Sequence, residues 1–245
     1  MIERAVEIVT PDGASDGVLY STPGVAKPGV ICLPDIVGIR ESICSMAKRI
    51  ADAGYTVLLP NLFYRTSRSP LFSFKVEFGE ERTMKRLGEL AGPLTPEASA
   101  RDGSAYVDFM TSQESVKPGP LGVVGHCFTG SIALRYAAAR PDMIAAAASF
   151  HGGRLYTDAP TSPHTVLPAV KARLYFGHAD KDNSMPAAAI QKLEDALQSW
   201  GGRFESELYP GALHGWTHTD APIYNKDAAE RAFGKLSELL SAELR

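Results

Sequence analysis

Hydrophobic positions along the 245-residue chain change period repeatedly, and each change marks a predicted strand or helix. Arg4 to Thr10 alternates apolar and polar residues, Pro11-Asp12-Gly13 reads as a turn, and Gly17 to Ser21 returns as a hairpin partner. Val30 to Leu33 is a short apolar run ending at Pro34, and Tyr55 to Leu59 is another, closed by Pro60. Between them Ile43, Met46, Ala47 and Ile50 share one face of a helix from about Glu41 to Ala53, which Gly54 stops. Asn61 to Pro96 is the least regular stretch, and Glu97 to Thr111 reads as a helix. Leu121 to Val124, Met143 to Phe150, Ala172 to Gly177 and Phe204 to Tyr209 are further strands. They alternate with helices over Ser131 to Arg140, Pro186 to Trp200 and Asp227 to Leu240. Repeated strand-then-helix units after an initial hairpin predict a mostly parallel sheet covered by helices on both faces, in one α/β domain spanning the chain. In that architecture a functional site forms beyond the C-terminal ends of the strands.

Composition narrows the class. Hydrophobic residues make up 44% and charged residues 22%, which fits a globular fold and excludes a disordered chain. The net charge of -3 offers no electrostatic case for nucleic acid or an anionic membrane as partner. No apolar run is long enough to span a bilayer, and Met1-Ile2-Glu3-Arg4 does not open a signal segment. Cys32, Cys44 and Cys127 make an odd number without framework spacing, so reduced thiols in a cytoplasmic protein are expected. The histidines do not cluster with metal-ligand spacing, and no metal site is expected.

Three strand exits carry chemistry. Gly125-His126-Cys127-Phe128-Thr129-Gly130 joins a buried strand to a helix through a tight corner with cysteine at its apex, the pattern of a nucleophile elbow. Such a corner pushes its apical side chain outward and needs small neighbours. Asp180 and Asp182 follow the strand at Ala172 to Gly177, and His214 follows the strand at Phe204 to Tyr209. A thiol is mostly protonated at neutral pH and needs a base or a favourable field. An imidazole can take that proton and return it to a leaving group, and a carboxylate behind the imidazole fixes its tautomer. The helix N-terminus after Cys127 favours a thiolate and a nascent oxyanion. His126 reads as a core histidine turned away from the apex, whereas His151 lines the pocket or packs. Cys32 and Cys44 read as packing residues.

With these pieces in order, the chain resembles the dienelactone hydrolase family over most of its length. The matching segments are Val30-Ile31, Asp35-Ile36-Val37-Gly38-Ile39, Gly54-Tyr55, Pro60-Asn61-Leu62-Phe63, Gly125-His126-Cys127-Phe128, Ala179-Asp180-Lys181-Asp182 with Pro186, and Pro210-Gly211-Ala212-Leu213-His214-Gly215-Trp216. The resemblance implies an α/β-hydrolase fold and a cofactor-free enzyme that opens a small ester or lactone through a thioester on cysteine. It implies Cys127 as nucleophile, His214 as base and an aspartate as its partner. Counting back from Pro186 selects Asp182, while counting from Gly177 leaves Asp180 as the alternative. It further implies that Asp35 modulates the thiol, against the local reading that Asp35 caps the following helix. The backbone amides of Ile36 and Phe128 match the oxyanion hole.

Two departures stand out. Thr129 occupies an elbow position usually held by glycine, and its side chain is expected to need room against the alanines of residues 145–148. Gly215 and His218 stand where the dienelactone-cleaving enzyme has serine and an arginine that holds the substrate carboxylate. Arg82, Lys85 and Arg86 are then candidates to hold an anionic substrate, or simply a solvated helix face. Hydrolysis of another activated acyl group, such as a thioester or xenobiotic ester, is the second enzymatic reading. A non-catalytic binding or redox-sensing protein on the same fold is the alternative from another class. Monomer and homodimer are both open.

Overall fold

The computed structural model describes residues 1–244 and builds them on one eight-stranded sheet of order β1-β2-β4-β3-β5-β6-β7-β8. The strands are β1 (Ile2–Thr10), β2 (Gly13–Ser21), β3 (Gly29–Cys32), β4 (Thr56–Pro60), β5 (Leu121–His126), β6 (Ile144–Phe150), β7 (Arg173–Ala179) and β8 (Phe204–Tyr209). The helices are α1 (Glu41–Asp52), α2 (Glu81–Ala91), α3 (Pro96–Thr111), α4 (Gly130–Ala139), α5 (Ala187–Trp200) and α6 (Lys226–Leu244). The hairpin β1–β2 and the β2–β4 pair are antiparallel, and every pairing from β4 through β3, β5, β6 and β7 to β8 is parallel. This is the expected α/β-hydrolase architecture.

The burial pattern explains why the apolar runs became central strands. All residues of β3, β4 and β5 are buried, because parallel strands covered on both faces need apolar side chains in both directions. Alternate residues separate into two cores. Ile31, Val123, Ala147 and Leu174 meet side chains of α3, α4 and α5, including Tyr106, Ile132 and Leu193. Val30, Val124, Ala146 and Tyr175 meet α1 and α6 through Ile43, Ala47, Ala232 and Leu236. β1, at the sheet edge, is largely exposed and alternates only in its second half. Among the described residues no helix is long and apolar enough to cross a membrane.

One helix lies where the sequence reading found only irregular chain. α2 fully buries Thr83 and Leu90, and Leu87 and Ala91 pack half-buried beside them at helical spacing, so a period is present there that the sequence reading passed over. Polar residues crowd the rest of its surface, and Gly88 interrupts it.

The elbow depends on close backbone approach. A Cβ on Gly125 would lie 2.2 Å from the Thr129 carbonyl oxygen, and one on Gly130 would lie 2.2 Å from Ser149 Oγ and 2.8 Å from Gly152 Cα. The tight approach of α4 to β6 therefore falls on Gly130. Thr129 needs no space on the alanine strand, because its Oγ1 turns back to the elbow, accepting from the His126 N–H (2.9 Å) and donating to the His126 carbonyl (3.0 Å). A hydroxyl thus occupies the place of the usual glycine while bonding to the turn itself.

Gly130→Ala is expected to destabilise the fold by about 1–3 kcal/mol through this overlap, read as a fall in urea midpoint at constant slope. Adding Ser149→Gly should recover part of the loss. An unchanged midpoint in the single variant would contradict the packing described.

Candidate active site

β5, β6, β7 and β8 are neighbours, so the loops at their C-terminal ends gather at one edge of the sheet. Cys127 caps β5 with φ +55°, a left-handed conformation uncommon for a residue with a side chain. Two bonds hold it there. The Cys127 N–H donates to His151 Nδ1 (3.1 Å), and the Cys127 carbonyl accepts from the Gly153 N–H (3.3 Å). His151 Nδ1 is therefore the acceptor nitrogen, which leaves the proton on Nε2 to be donated to Thr217 Oγ1 at 2.7 Å. Burial keeps His151 neutral, with a pKa well below the ordinary histidine value, and the neighbouring histidines act in the same direction. The imidazole so ties the cysteine turn to the loop after β8.

That loop carries His214. Its Nε2 lies 3.0 Å from Cys127 Sγ, and its Nδ1 lies 2.6 Å from Asp182 Oδ2. Asp182 is itself held by Ser184, whose N–H and hydroxyl each donate to Oδ1 at 2.7 Å. Ser184 Oγ is also 3.3 Å from His214 Nδ1. Burial opposes a charged His214, but the bonds to Asp182 and Cys127 outweigh it and push its pKa up to about 10. Burial likewise opposes the Asp182 carboxylate, yet the bonds from His214 and Ser184 hold its pKa below the ordinary value. The two shifts describe one favourable imidazolium–carboxylate contact. Asp180 faces elsewhere: its Oδ2 accepts from the Gly211 N–H at 3.0 Å, bracing the loop before His214.

Cys127 and His214 open onto a cleft of about 520 Å³ whose wall includes Phe128, Ser131, Arg135, Gly153, Arg154 and Ser184. Phe128 belongs to the first turn after β5, where amide groups lack intrahelical partners. Ile36 lies in the loop after β3, the strand beside β5, and among the described residues its N–H donates to no backbone carbonyl.

Asp35 has other partners than the thiol. Its Oδ1 accepts from the Val37 N–H (2.9 Å) and from Arg40 (2.6 Å), and its Oδ2 accepts from Arg40 at 2.9 Å. His218 Nε2 lies 3.2 Å from Oδ2 without hydrogen-bond geometry, and His218 is buried with neither ring nitrogen hydrogen-bonded among the described residues. Burial lowers its pKa, with Asp35 opposing the shift. The Asp35–Arg40 pair continues to Asp220, 2.6 Å from Arg40 Nε. Asp35 therefore braces the loop bearing Ile36, and no hydrogen bond joins it to Cys127 among the described residues.

His126 is buried against Phe150, and burial drives its pKa down to about 3. Cys32, the last residue of β3, is buried with its thiol pKa pushed up to about 12 by burial. Phe63 and Trp216 are core residues. Arg82, Lys85 and Arg86 stand on α2 around a separate surface depression with Glu80, Glu81 and Glu89, away from Cys127. Sequence reasoning missed Ser184, Arg40, Arg135, Arg154 and Thr217. Only Ser184 left a local signal, as the second residue after Asp182, where an aspartate commonly accepts a backbone amide. Among the described residues no group of three or more His, Cys, Asp or Glu side chains could hold a metal ion.

A sequence profile described as the dienelactone hydrolase family matches residues 15–244. A protein of Synechocystis sp., provisionally named carboxymethylenebutenolidase, is 28% identical over 225 residues, covering 89% of this chain and 87% of that protein. A Klebsiella pneumoniae structure, provisionally named dienelactone hydrolase, superposes with a TM-score of 0.85 at 19% identity, covering 98% of each chain. Dienelactone hydrolase from Anabaena variabilis gives 0.71 at 21% identity, covering 100% of this chain and 99% of that one.

The stability conferred by the His214–Asp182 contact has a defined pH window. A raised histidine pKa contributes fully below 6.5 and is lost as pH rises towards about 10. A depressed aspartate pKa contributes above 3.8 and is lost as pH falls through its lowered value. The stability difference between wild type and His214→Gln should therefore be greatest between those two ordinary values and shrink on either side. Urea unfolding across pH measures it; a difference that grows from pH 7 to pH 10 would contradict the assignment.

Proposed function

The chain belongs to the dienelactone hydrolase family, and on that premise we propose that it hydrolyses a small ester or lactone through a thioester on Cys127. The observation that carries the reading is the continuous contact from Cys127 Sγ through His214 to Asp182, at 3.0 Å and 2.6 Å. These distances are within hydrogen-bond reach for a nucleophile, its base and the base's orienting carboxylate.

In the proposed reaction His214 Nε2 takes the Cys127 proton and Sγ attacks the substrate carbonyl. The carbonyl electrons move onto oxygen, where the amides of Phe128 and Ile36 stabilise them. Collapse of that intermediate breaks the acyl C–O bond, and His214 returns its proton to the departing alkoxide. In a lactone the alcohol stays tethered to the acyl group. Water, deprotonated by His214, then attacks the thioester; its C–S bond breaks, the acid leaves and the Cys127–His214 pair is restored. The raised His214 pKa suits the first half-reaction, since the imidazole must hold a proton while the thiolate attacks. Asp182 keeps Nδ1 protonated and Nε2 directed at sulfur. Asp35 acts at one remove, holding the Ile36 loop through Val37 and Arg40.

Hydrolysis of p-nitrophenyl acetate and of simple lactones tests the reading. Cys127→Ala and His214→Ala should each lose at least ~1000-fold in kcat. Asp182→Asn should also fall steeply, because an orienting carboxylate is worth up to ~10⁴ in a comparable triad. Asp180→Asn should retain most activity. Equal rates in wild type, Cys127→Ala and His214→Ala would end the proposal, and a larger loss in Asp180→Asn than in Asp182→Asn would reassign the acid.

A further inference from the structure

The charge pattern around the cleft differs from that of the rest of the surface. Nearly every described arginine has a carboxylate within ion-pair distance, from Arg40 with Asp35 to Arg231 with Glu207. The exceptions are Arg4, which bonds the Gln113 side chain, Arg135 and Arg154. Two of these three line the cleft that holds Cys127 and His214, and among the described residues no aspartate or glutamate lines it. A protein of net charge -3 has thus left two cations unmatched at one place.

Each is positioned by backbone rather than by a counter-ion. Arg135 is half-buried on α4 and donates one bond, from Nη2 to the Thr161 carbonyl at 2.5 Å. Burial lowers its pKa, with Glu97 offsetting part of the effect, so its charge is incompletely solvated. Arg154 sits at the exposed rim with φ +52°, in the left-handed region, and its N–H donates to the Ser184 carbonyl at 2.8 Å. Its guanidinium has no hydrogen-bond or ion-pair partner among the described residues. A left-handed backbone at a non-glycine residue costs energy, and Cys127 and Arg154, both on the wall of this cleft, share that conformation.

Resting on the hydrolase reading above, we propose that Arg135 and Arg154 form an anion subsite, which selects esters whose acyl chain ends in a carboxylate or phosphate remote from the scissile carbonyl. The distance follows from the helix. Arg135 is five residues beyond the first residue of α4, ~8 Å along the axis, so the anion lies several bonds from the carbon attacked by Cys127. The cleft volume of about 520 Å³ falls in the range for an extended ligand rather than a single small ring. Guanidinium groups suit both anions, since each offers paired N–H donors to two oxygens.

Two measurements separate this subsite from the chemistry. The first compares kcat/KM for mono-p-nitrophenyl adipate and p-nitrophenyl hexanoate, which share chain length and leaving group. Wild type should prefer the adipate by about 10-fold or more, the effect of a charge-assisted contact. Arg154→Asn, which keeps a residue tolerant of positive φ, and Arg135→Gln should each erase most of that preference through KM. Hexanoate is the internal reference: the readout is the adipate-to-hexanoate ratio, in which any loss common to both substrates cancels. The second measures calorimetric binding of adipate, butyl phosphate and 1,6-hexanediol to Cys127→Ala, where no turnover is possible. Either anion binding more tightly than the diol, and losing that advantage in Arg154→Asn, supports the subsite and tells carboxylate from phosphate. Hexanoate turnover without an adipate preference, together with neither anion binding more tightly than the diol, overturns the subsite and leaves the hydrolase reading standing. Anion binding without any ester turnover overturns the hydrolase reading and retains the subsite as a binding site. Binding no tighter than the diol overturns the subsite.

Discussion

Everything distinctive about the site depends on a cysteine held in a left-handed turn. A non-glycine residue in that conformation costs about 1–2 kcal/mol, and isolated chain would relax out of it. Here Cys127 is restrained through its own amide and carbonyl, by His151 and Gly153 of the loop after β6. Thr129 closes the turn from inside, and Gly125 and Gly130 supply the clearance that β6 and the turn demand. The same imidazole reaches Thr217 beyond His214. Distortion of the β5 corner is thereby coupled to the position of the base, which is why the proposed nucleophile and His214 meet at 3.0 Å.

Electrostatics divide four neighbouring histidines into two kinds. His126, His151 and His218 are buried, and burial lowers the pKa of each. Neutrality is useful at His151, because a protonated Nδ1 would confront the Cys127 N–H instead of accepting from it. His214 is also largely enclosed, but Asp182 stands at 2.6 Å and reverses the balance. One residue type thus provides an acceptor that holds the turn and a group able to carry a proton, with the carboxylate deciding between them. Ser184 matters for the same reason, since its two bonds keep Asp182 aimed.

Much of this was legible in the chain because its signals were local or serial. Continuous apolar runs announced β3, β4 and β5, and the order of Cys127, Asp182 and His214 at successive strand exits brought them to one edge of the sheet. The resemblance to the dienelactone hydrolase family added the choice of Asp182 over Asp180, and the structure sets Asp182 against His214 while Asp180 binds the Gly211 amide. What was not legible is tertiary. α2 is the exception, since Thr83, Leu87, Leu90 and Ala91 recur at helical spacing among charged residues and were open to the same reading. The pairing of Asp35 with Arg40 depends on loop geometry, and the acceptance of the Cys127 amide by His151 joins two strands' exits. The position of Arg135 and Arg154 is visible only once the cleft is assembled, since neither belongs to a motif.

The central claim is that Cys127 carries the acyl group. Wild-type protein mixed with excess p-nitrophenyl acetate, acid-quenched within the first turnovers and digested, should yield a peptide containing Cys127 one acetyl group heavier. Hydroxylamine should remove that acetyl group, as it removes any thioester. Turnover of the ester with Cys127 unmodified at every quench time, or the acetyl group on another residue that turns over at the steady-state rate, would contradict the account.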